Sequence, residues 1–201
     1  MSEFERWETR FSTPGYLFGT EPNVFLKSQA SNLKPGWKAL SIADGEGRNG
    51  VWLAEQGLDV QSFDFAPKAV DKARDLAKQR GVNLKTEVAD IFTWTWPTAE
   101  FDVIAGIFFQ FVGPDARDAV FAKIKRALRP GGLLLMEGYH VRQHEYGTGG
   151  PANAANLWTR DLLERAFGDF SSVRITEEDR ELTEGSHHVG MSALIDFVGR
   201  K

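Results

Sequence analysis

Hydrophobic positions along the chain switch repeatedly between helical and strand spacing. Phe4, Trp7 and Phe11 fall at i, i+3 and i+7, the spacing of one helix face. A second helix is expected after Pro22, ending before the turn signal Lys34-Pro35-Gly36. Lys38 to Ala43 reads as a buried strand, and Asp44 to Gly50 as a glycine loop that opens a helix. Val60 to Asp64 is a second strand. Pro67 then starts a helix whose Val70, Ala73 and Ala77 face inward. Strands are expected over Val82 to Val88, Phe101 to Gly106 and Leu133 to Glu137. Helices are expected over Asp115 to Leu128 and Leu157 to Phe167, with Arg129-Pro130-Gly131-Gly132 as a break after the first. The pattern then changes. Ser171 to Leu182 and Val189 to Val198 read as two strands joined by a turn at Gly185, with no helix between them.

Five β-α units and a terminal hairpin predict an α/β fold, a Rossmann-like open sheet of parallel strands with one antiparallel strand in its edge region. The chain has 201 residues, which makes one domain the default. No repeat, linker or low-complexity tract divides it, and Gly147 to Pro151 reads as a mobile loop within the domain. With 42% hydrophobic and 26% charged residues, wholesale disorder is excluded. The longest apolar stretch, Phe101 to Val112, is interrupted by Asp102 and Gln110 and is too short for a bilayer. The segment MSEFERWETRF has no secretory pattern, and Val198-Gly199-Arg200-Lys201 carries no lipidation signal, so a cytoplasmic location is expected.

Cysteine is absent, which removes disulfides, thiolate nucleophiles and Cys-ligated metals. The net charge of −4, with no basic cluster on any expected face, argues against nucleic acid as a partner. His140 and His144 are four apart but lack a third ligand at suitable spacing, so no metal is expected. His187 and His188 fall in the expected hairpin turn and read as solvated. The run Glu177-Glu178-Asp179, with Glu181 and Glu184, reads as a solvated edge.

The loop IADGEGRNG places Gly45, Gly47 and Gly50 in a GxGxxG pattern between strand and helix. Asp64, 19 residues beyond Gly45, ends the next strand, where a ribose-binding acid belongs. The motif alone is weak, but this context favours a nucleotide-type ligand over mere tight packing. Asp44 and Glu46 would repel the pyrophosphate of a dinucleotide, yet suit the ammonium and sulfonium of S-adenosylmethionine.

These residues resemble the class I S-adenosylmethionine-dependent methyltransferases, in particular the bacterial tellurite-resistance and thiopurine methyltransferase-like enzymes. The resemblance runs through WETRFSTPGYLFGTEPNVFL, IADGEGRN, Phe63-Asp64, Ala89-Asp90-Ile91, LRPGGLLLMEG and the final hairpin. Two positions depart from the common loop. Ser41 stands where the superfamily has an acid and Ala43 where it has a glycine, which moves the acid to Asp44 and Glu46. The resemblance implies a cofactor site built from Ala43, Asp44, Gly45 and Gly47. Asp64 would take the ribose hydroxyls, and Phe65 would pack on the adenine. Asp90, Ile91 and Ile107 would border its edges. Residues 1–33 would form a helical cap over the crevice, with Trp7 and Phe11 near the sulfonium.

That cap is aromatic-rich, and its rings read equally as helix packing or as a lid. The acceptor is expected to be a small molecule, with a thiol or a chalcogen oxyanion as the nucleophile that needs least help. A hydroxyl or amine would need a base, for which Tyr16, Tyr139 and His140 are the candidates. The missing Asn/Asp-Pro-Pro-Tyr/Phe run argues against methylation of nucleic-acid bases. A nicotinamide-dependent oxidoreductase and a non-catalytic donor-binding module remain as alternatives. Oligomeric state is left open.

Overall fold

The computed structural model describes residues 2–201; Met1, the first residue of the expected cap and of the single domain, lies outside them. Helix α1 (Glu3–Phe11) starts at a capping box in which Ser2 and Glu5 satisfy each other's backbone amides. Helix α2 (Val24–Ser28) is capped by Asn23. Strand β1 (Lys38–Ile42) leads into α3 (Arg48–Glu55), and β2 (Asp59–Asp64) into α4 (Pro67–Arg80). Pro67 sits in the first turn of α4 and Gly81 ends it in the left-handed conformation, as their backbone preferences dictate.

Strand β3 (Leu84–Val88) is followed by turns rather than a helix, so the expected five β-α units are four. Strand β4 (Phe101–Ile107) precedes α5 (Pro114–Ala127). Strand β5 (Leu128–Tyr139) begins five residues before the expected Leu133. The Pro130-Gly131-Gly132 segment stays within the strand, with Gly131 at φ +76°, because Lys201 pairs with it through Gly131 N to Lys201 O and Lys201 N to Gly132 O. Short helix α6 (Gln143–Tyr146) follows. Helix α7 (Arg160–Phe167) begins later than Leu157, because the Thr159 side chain caps it and residues 157–159 are extended.

Strands β6 (Ser172–Glu184) and β7 (His188–Arg200) form the terminal hairpin. The seven strands run in the order β3-β2-β1-β4-β5-β7-β6. β1 to β5 are mutually parallel, and β7 is antiparallel to both its neighbours. The antiparallel strand is thus one place in from the edge, which β6 occupies. A hydrophobic layer covers each face. One gathers Phe109, Phe121, Ile124, Trp158 and Phe167, and the other Leu26, Val51, Leu53 and Leu76. No described helix is long and apolar enough to cross a membrane.

Candidate functional site

The carboxyl ends of β1, β2, β3, β4 and β5 open on one side of the sheet, the side on which ligands bind in open α/β folds. A cavity of about 780 Å³ lies there. Ala43, Asp64, Asp90 with Ile91, Phe108 and Tyr139 bring one strand end each to its wall. Phe65 and the α1 residue Trp7 line it as well.

Asp64 is buried at the end of β2. Its Oδ2 accepts the Gly45 amide at 2.9 Å and its Oδ1 the Ala66 amide at 3.0 Å. Burial outweighs those bonds and pushes its carboxyl up to about 6. Gly47 must be glycine: its φ is +89°, and a Cβ there would lie 2.5 Å from that of Ala73. Loop and α4 are therefore in backbone contact. Asp44 points inward, its Oδ1 accepting the Ser41 hydroxyl at 2.6 Å and both oxygens accepting the Gly50 amide at 3.2 Å. Burial pushes its carboxyl up to about 7.

Glu46 also turns away from the cavity. Lys72 Nζ donates to it at 2.8 Å and the Leu17 amide at 2.7 Å. The two loop acids read from sequence as facing a cationic ligand are bound into the scaffold instead. Gly45, Gly47, Phe11 and Ile107 also lie outside the cavity lining. Gly45 takes the left-handed conformation at φ +57°, and the Phe11 ring packs beside it, 3.6 Å from where a Cβ would be.

The α1 wall carries Phe4, Trp7, Arg6 and Arg10. Trp7 stacks on Phe11, and the Arg10 guanidinium sits 4.5 Å from the Trp7 ring centre, so that face of the indole already holds a cation. Gly149 to Asn153 line the cavity as well, so the glycine-rich loop and the N-terminal segment border the same space.

Of the three candidate bases only Tyr139 reaches the cavity. Its phenol is raised by burial and by Glu184 and Glu137, which keeps it protonated and unfit as a base. Tyr16 instead directs its hydroxyl to Lys72 O at 3.4 Å. His140 lies outside the lining.

The residue the sequence did not reveal is His188. It is not solvated: it lines the cavity, with its ring centre 4.4 Å from those of both Phe18 and Phe108. The hairpin tip folds onto the cap, where the Ser186 amide donates to Leu17 O at 2.9 Å. Glu184, also expected to be solvated, is buried. It pairs with Arg48 at 2.7 Å and accepts bonds from Asn23 and the Val24 amide. Burial alone would raise its carboxyl, but His188 and Arg48 outweigh that and it falls to about 2. Glu137 lies behind the site, where Asn23 and Arg180 bind it. Among the described residues no cluster of three His, Asp or Glu could hold a metal.

Residues 39–132 match a family model described as a methyltransferase domain. The chain is 33% identical over 140 residues to the 2-heptyl-1-hydroxyquinolin-4(1H)-one methyltransferase of Mycobacteroides abscessus, covering 68% of this chain and 62% of that one. Other curated relatives are longer, and this chain spans less than half the length of several of them. Two solved structures share the fold. One comes from work on the conversion of a disulfide bond into a thioacetal group during echinomycin biosynthesis, with a TM-score of 0.75 at 20% identity over 100% of this chain and 93% of the other. The other is TehB from Haemophilus influenzae, with a TM-score of 0.72 at 17% identity over 98% and 66%.

Proposed function

We propose that the chain, which matches a methyltransferase-domain model over residues 39–132 and shares its fold with the solved structures above, is a class I S-adenosylmethionine-dependent methyltransferase that transfers a methyl group to a small molecule in the cavity at its strand ends. The observation that carries this reading is the buried Asp64 carboxylate, held by the Gly45 amide on the wall of that cavity. A carboxylate at the end of the second strand fits a ribose diol, and Phe65, Ile91 and Asp90 beside it fit an adenine ring. S-adenosylmethionine would supply an electrophilic methyl group on a good leaving group. The chain's own residues need only orient the two reactants and exclude water.

The cavity volume falls within the range of small-molecule sites, about 300–1,000 Å³. Space on the Phe18, Phe108 and Tyr139 side favours an enzyme over a non-catalytic donor-binding module. We place the acceptor among soft nucleophiles, a thiol or a chalcogen oxyanion, which react with least help. A hydroxylated aromatic ring is a second reading, favoured by the aromatic walls and by the quinolone-modifying relative. Residues 2–33 act in this reading as a cap, and a cytoplasmic location suits the substrates. Calorimetric titration with S-adenosylhomocysteine and, separately, with NAD tests the proposal. Binding of the first alone supports it, and binding of NAD alone moves the chain to the oxidoreductases.

A further inference from the structure

His188 begins β7 at the hairpin tip, yet its imidazole is enclosed. Phe18 of the cap and Phe108 at the end of β4 pack on it, each with its ring centre 4.4 Å away, and Tyr139 stands edge-on at 6.1 Å. Its Nδ1 is buried, makes no hydrogen bond among the described residues, and lies 3.7 Å from Glu184 Oε2. That carboxylate cannot swing freely, because Arg48, Asn23 and the Val24 amide all hold it. A carboxylate beside Nδ1 draws the imidazole proton to that nitrogen and leaves the lone pair on Nε2, the opposite edge of the ring. The backbone is strained at the same place: Phe108 has φ +54°, which is rare for an aromatic residue and is the kind of cost retained at working sites.

We infer that His188 accepts the proton of the methyl acceptor, and that the acceptor is a planar aromatic molecule bearing a protonated hydroxyl or thiol. This rests on the methyl-transfer reading of the same cavity and selects the aromatic acceptor over the chalcogen oxyanion. In the step, the acceptor's O–H or S–H bond breaks and its proton goes to Nε2 of His188. The freed electron pair forms the new bond to the methyl carbon, and the pair of the breaking carbon–sulfur bond leaves with the donor sulfur as a neutral thioether. The proton passes from His188 to water afterwards, so no oxidant or further reactant is needed.

The groups around the ring suit that role. Burial lowers the affinity of His188 for a proton, Arg48 and His187 lower it further, and Glu184 opposes them. The imidazole is thus neutral at pH 7 and free to accept. Glu184 stays ionised and can steady the imidazolium once it forms. Tyr139, the other polar ring on that side, remains a protonated phenol.

Two probes of one shape test the inference: 1-naphthol, protonated at neutral pH, and 2-naphthalenethiol, largely ionised there. S-adenosylhomocysteine release is measured for the wild-type protein, His188→Gln and His188→Asn. The expected result is a 10²- to 10⁴-fold loss of kcat with 1-naphthol in both variants, the usual worth of a general base. With the thiolate the loss should stay under about tenfold, and the fall in the wild-type 1-naphthol rate on the acidic side, where His188 takes up a proton, should disappear from the pH–rate profile. S-adenosylhomocysteine affinity should be unchanged in the variants. A second readout needs no turnover: adding 1-naphthol to the wild-type complex with S-adenosylhomocysteine should shift the His188 ¹⁵N resonances and change its titration. Equal losses for both probes, a retained 1-naphthol rate, unperturbed His188 resonances, or failure of a donor-binding protein to methylate either probe would each overturn the inference. Failure of the wild-type protein to bind S-adenosylhomocysteine would instead overturn the methyl-transfer reading beneath it.

Discussion

Glu46 Oε1 accepts a 2.8 Å hydrogen bond from Lys72 Nζ, and that ion pair ties the glycine loop to α4. The same ammonium donates to the carbonyls of Thr13 and Gly15, while the other Glu46 oxygen takes the Leu17 amide. One acid and one lysine therefore seat the segment that follows α1 over the strand ends. An acid that sequence reasoning assigned to the donor's ammonium group anchors the cap.

The ribose assignment is tested at Asp64. Asp64→Ala should weaken S-adenosylhomocysteine binding by about 2 kcal/mol or more, since two charge-assisted hydrogen bonds are lost. Glu181→Ala, on the exposed edge, should be near neutral. Because the Asp64 carboxyl sits at about 6, wild-type affinity should rise as pH increases from 5 to 7. Calorimetry across that range checks both, and identical affinities for the two variants would remove the assignment.

Asp44 predicts a stability profile. Its carboxyl, pushed up to about 7, binds a proton more tightly when folded than when unfolded. The resulting stabilisation is complete below about pH 4 and is lost as pH rises through 7. Asp44→Asn removes that titration while keeping an oxygen for the Gly50 amide. Its melting temperature should therefore decline less than wild type between pH 5 and 8, and parallel profiles would refute the argument.

The buried pair of Arg48 and Glu184 should behave as a unit. Arg48→Met leaves a buried, uncompensated carboxylate and should cost about 3 kcal/mol or more. Arg48→Met combined with Glu184→Gln should cost clearly less than the sum of the single changes. Urea denaturation of all four proteins reads the coupling directly.

Gly47→Ala tests the loop's contact with α4. The new methyl would meet Ala73 at 2.5 Å in a left-handed backbone conformation, so a loss of about 2 kcal/mol or more is expected. Thermal unfolding gives the number, and a neutral result would mean that loop and helix can separate without penalty.

The cap and the glycine-rich loop line one cavity, which makes a joint closure measurable. Amide exchange in residues 4–20 and 140–151 should slow together at saturating S-adenosylhomocysteine. Equal exchange with and without ligand would reject the lid while leaving the donor site intact.

Much of the fold was legible because it rests on local signals. Pro67 and Pro114 open helices where Pro is tolerated, and the short, nearly continuous apolar runs of β1 and β4 mark strands buried on both faces. The start of β5 was not legible, since its first residues are held by Lys201, far away in sequence. The late start of α7 was legible in principle from Thr159, a good cap three residues before Leu162. In the site, topology marks the strand ends Asp64 and Asp90, the family resemblance adds Phe65 and Ile91, and all four line the cavity. His188 and Glu184 were not legible, because a histidine at a hairpin tip looks solvated until the tip folds against residues 17–19. Asp44 and Glu46 were misdirected for a related reason: charge reveals that an acid needs a partner, but only packing decides which one.

That contact at the hairpin tip bears on how the chain can change. A Cβ on Gly185 would lie 2.3 Å from Leu17 O, and the glycine's φ is +65°. Hairpin tips ordinarily absorb inserted or deleted residues at little cost, being exposed and free of neighbours. Here the tip is seated, and the strands leading to it carry Glu184 on one side and His188 on the other. Lengthening the hairpin by a residue would unseat the tip from the cap and slide the imidazole away from Phe18. The length of this hairpin is thus part of the pocket's specification, and diversification of the protein is channelled elsewhere, toward cavity-lining positions with exposed side chains such as Phe92.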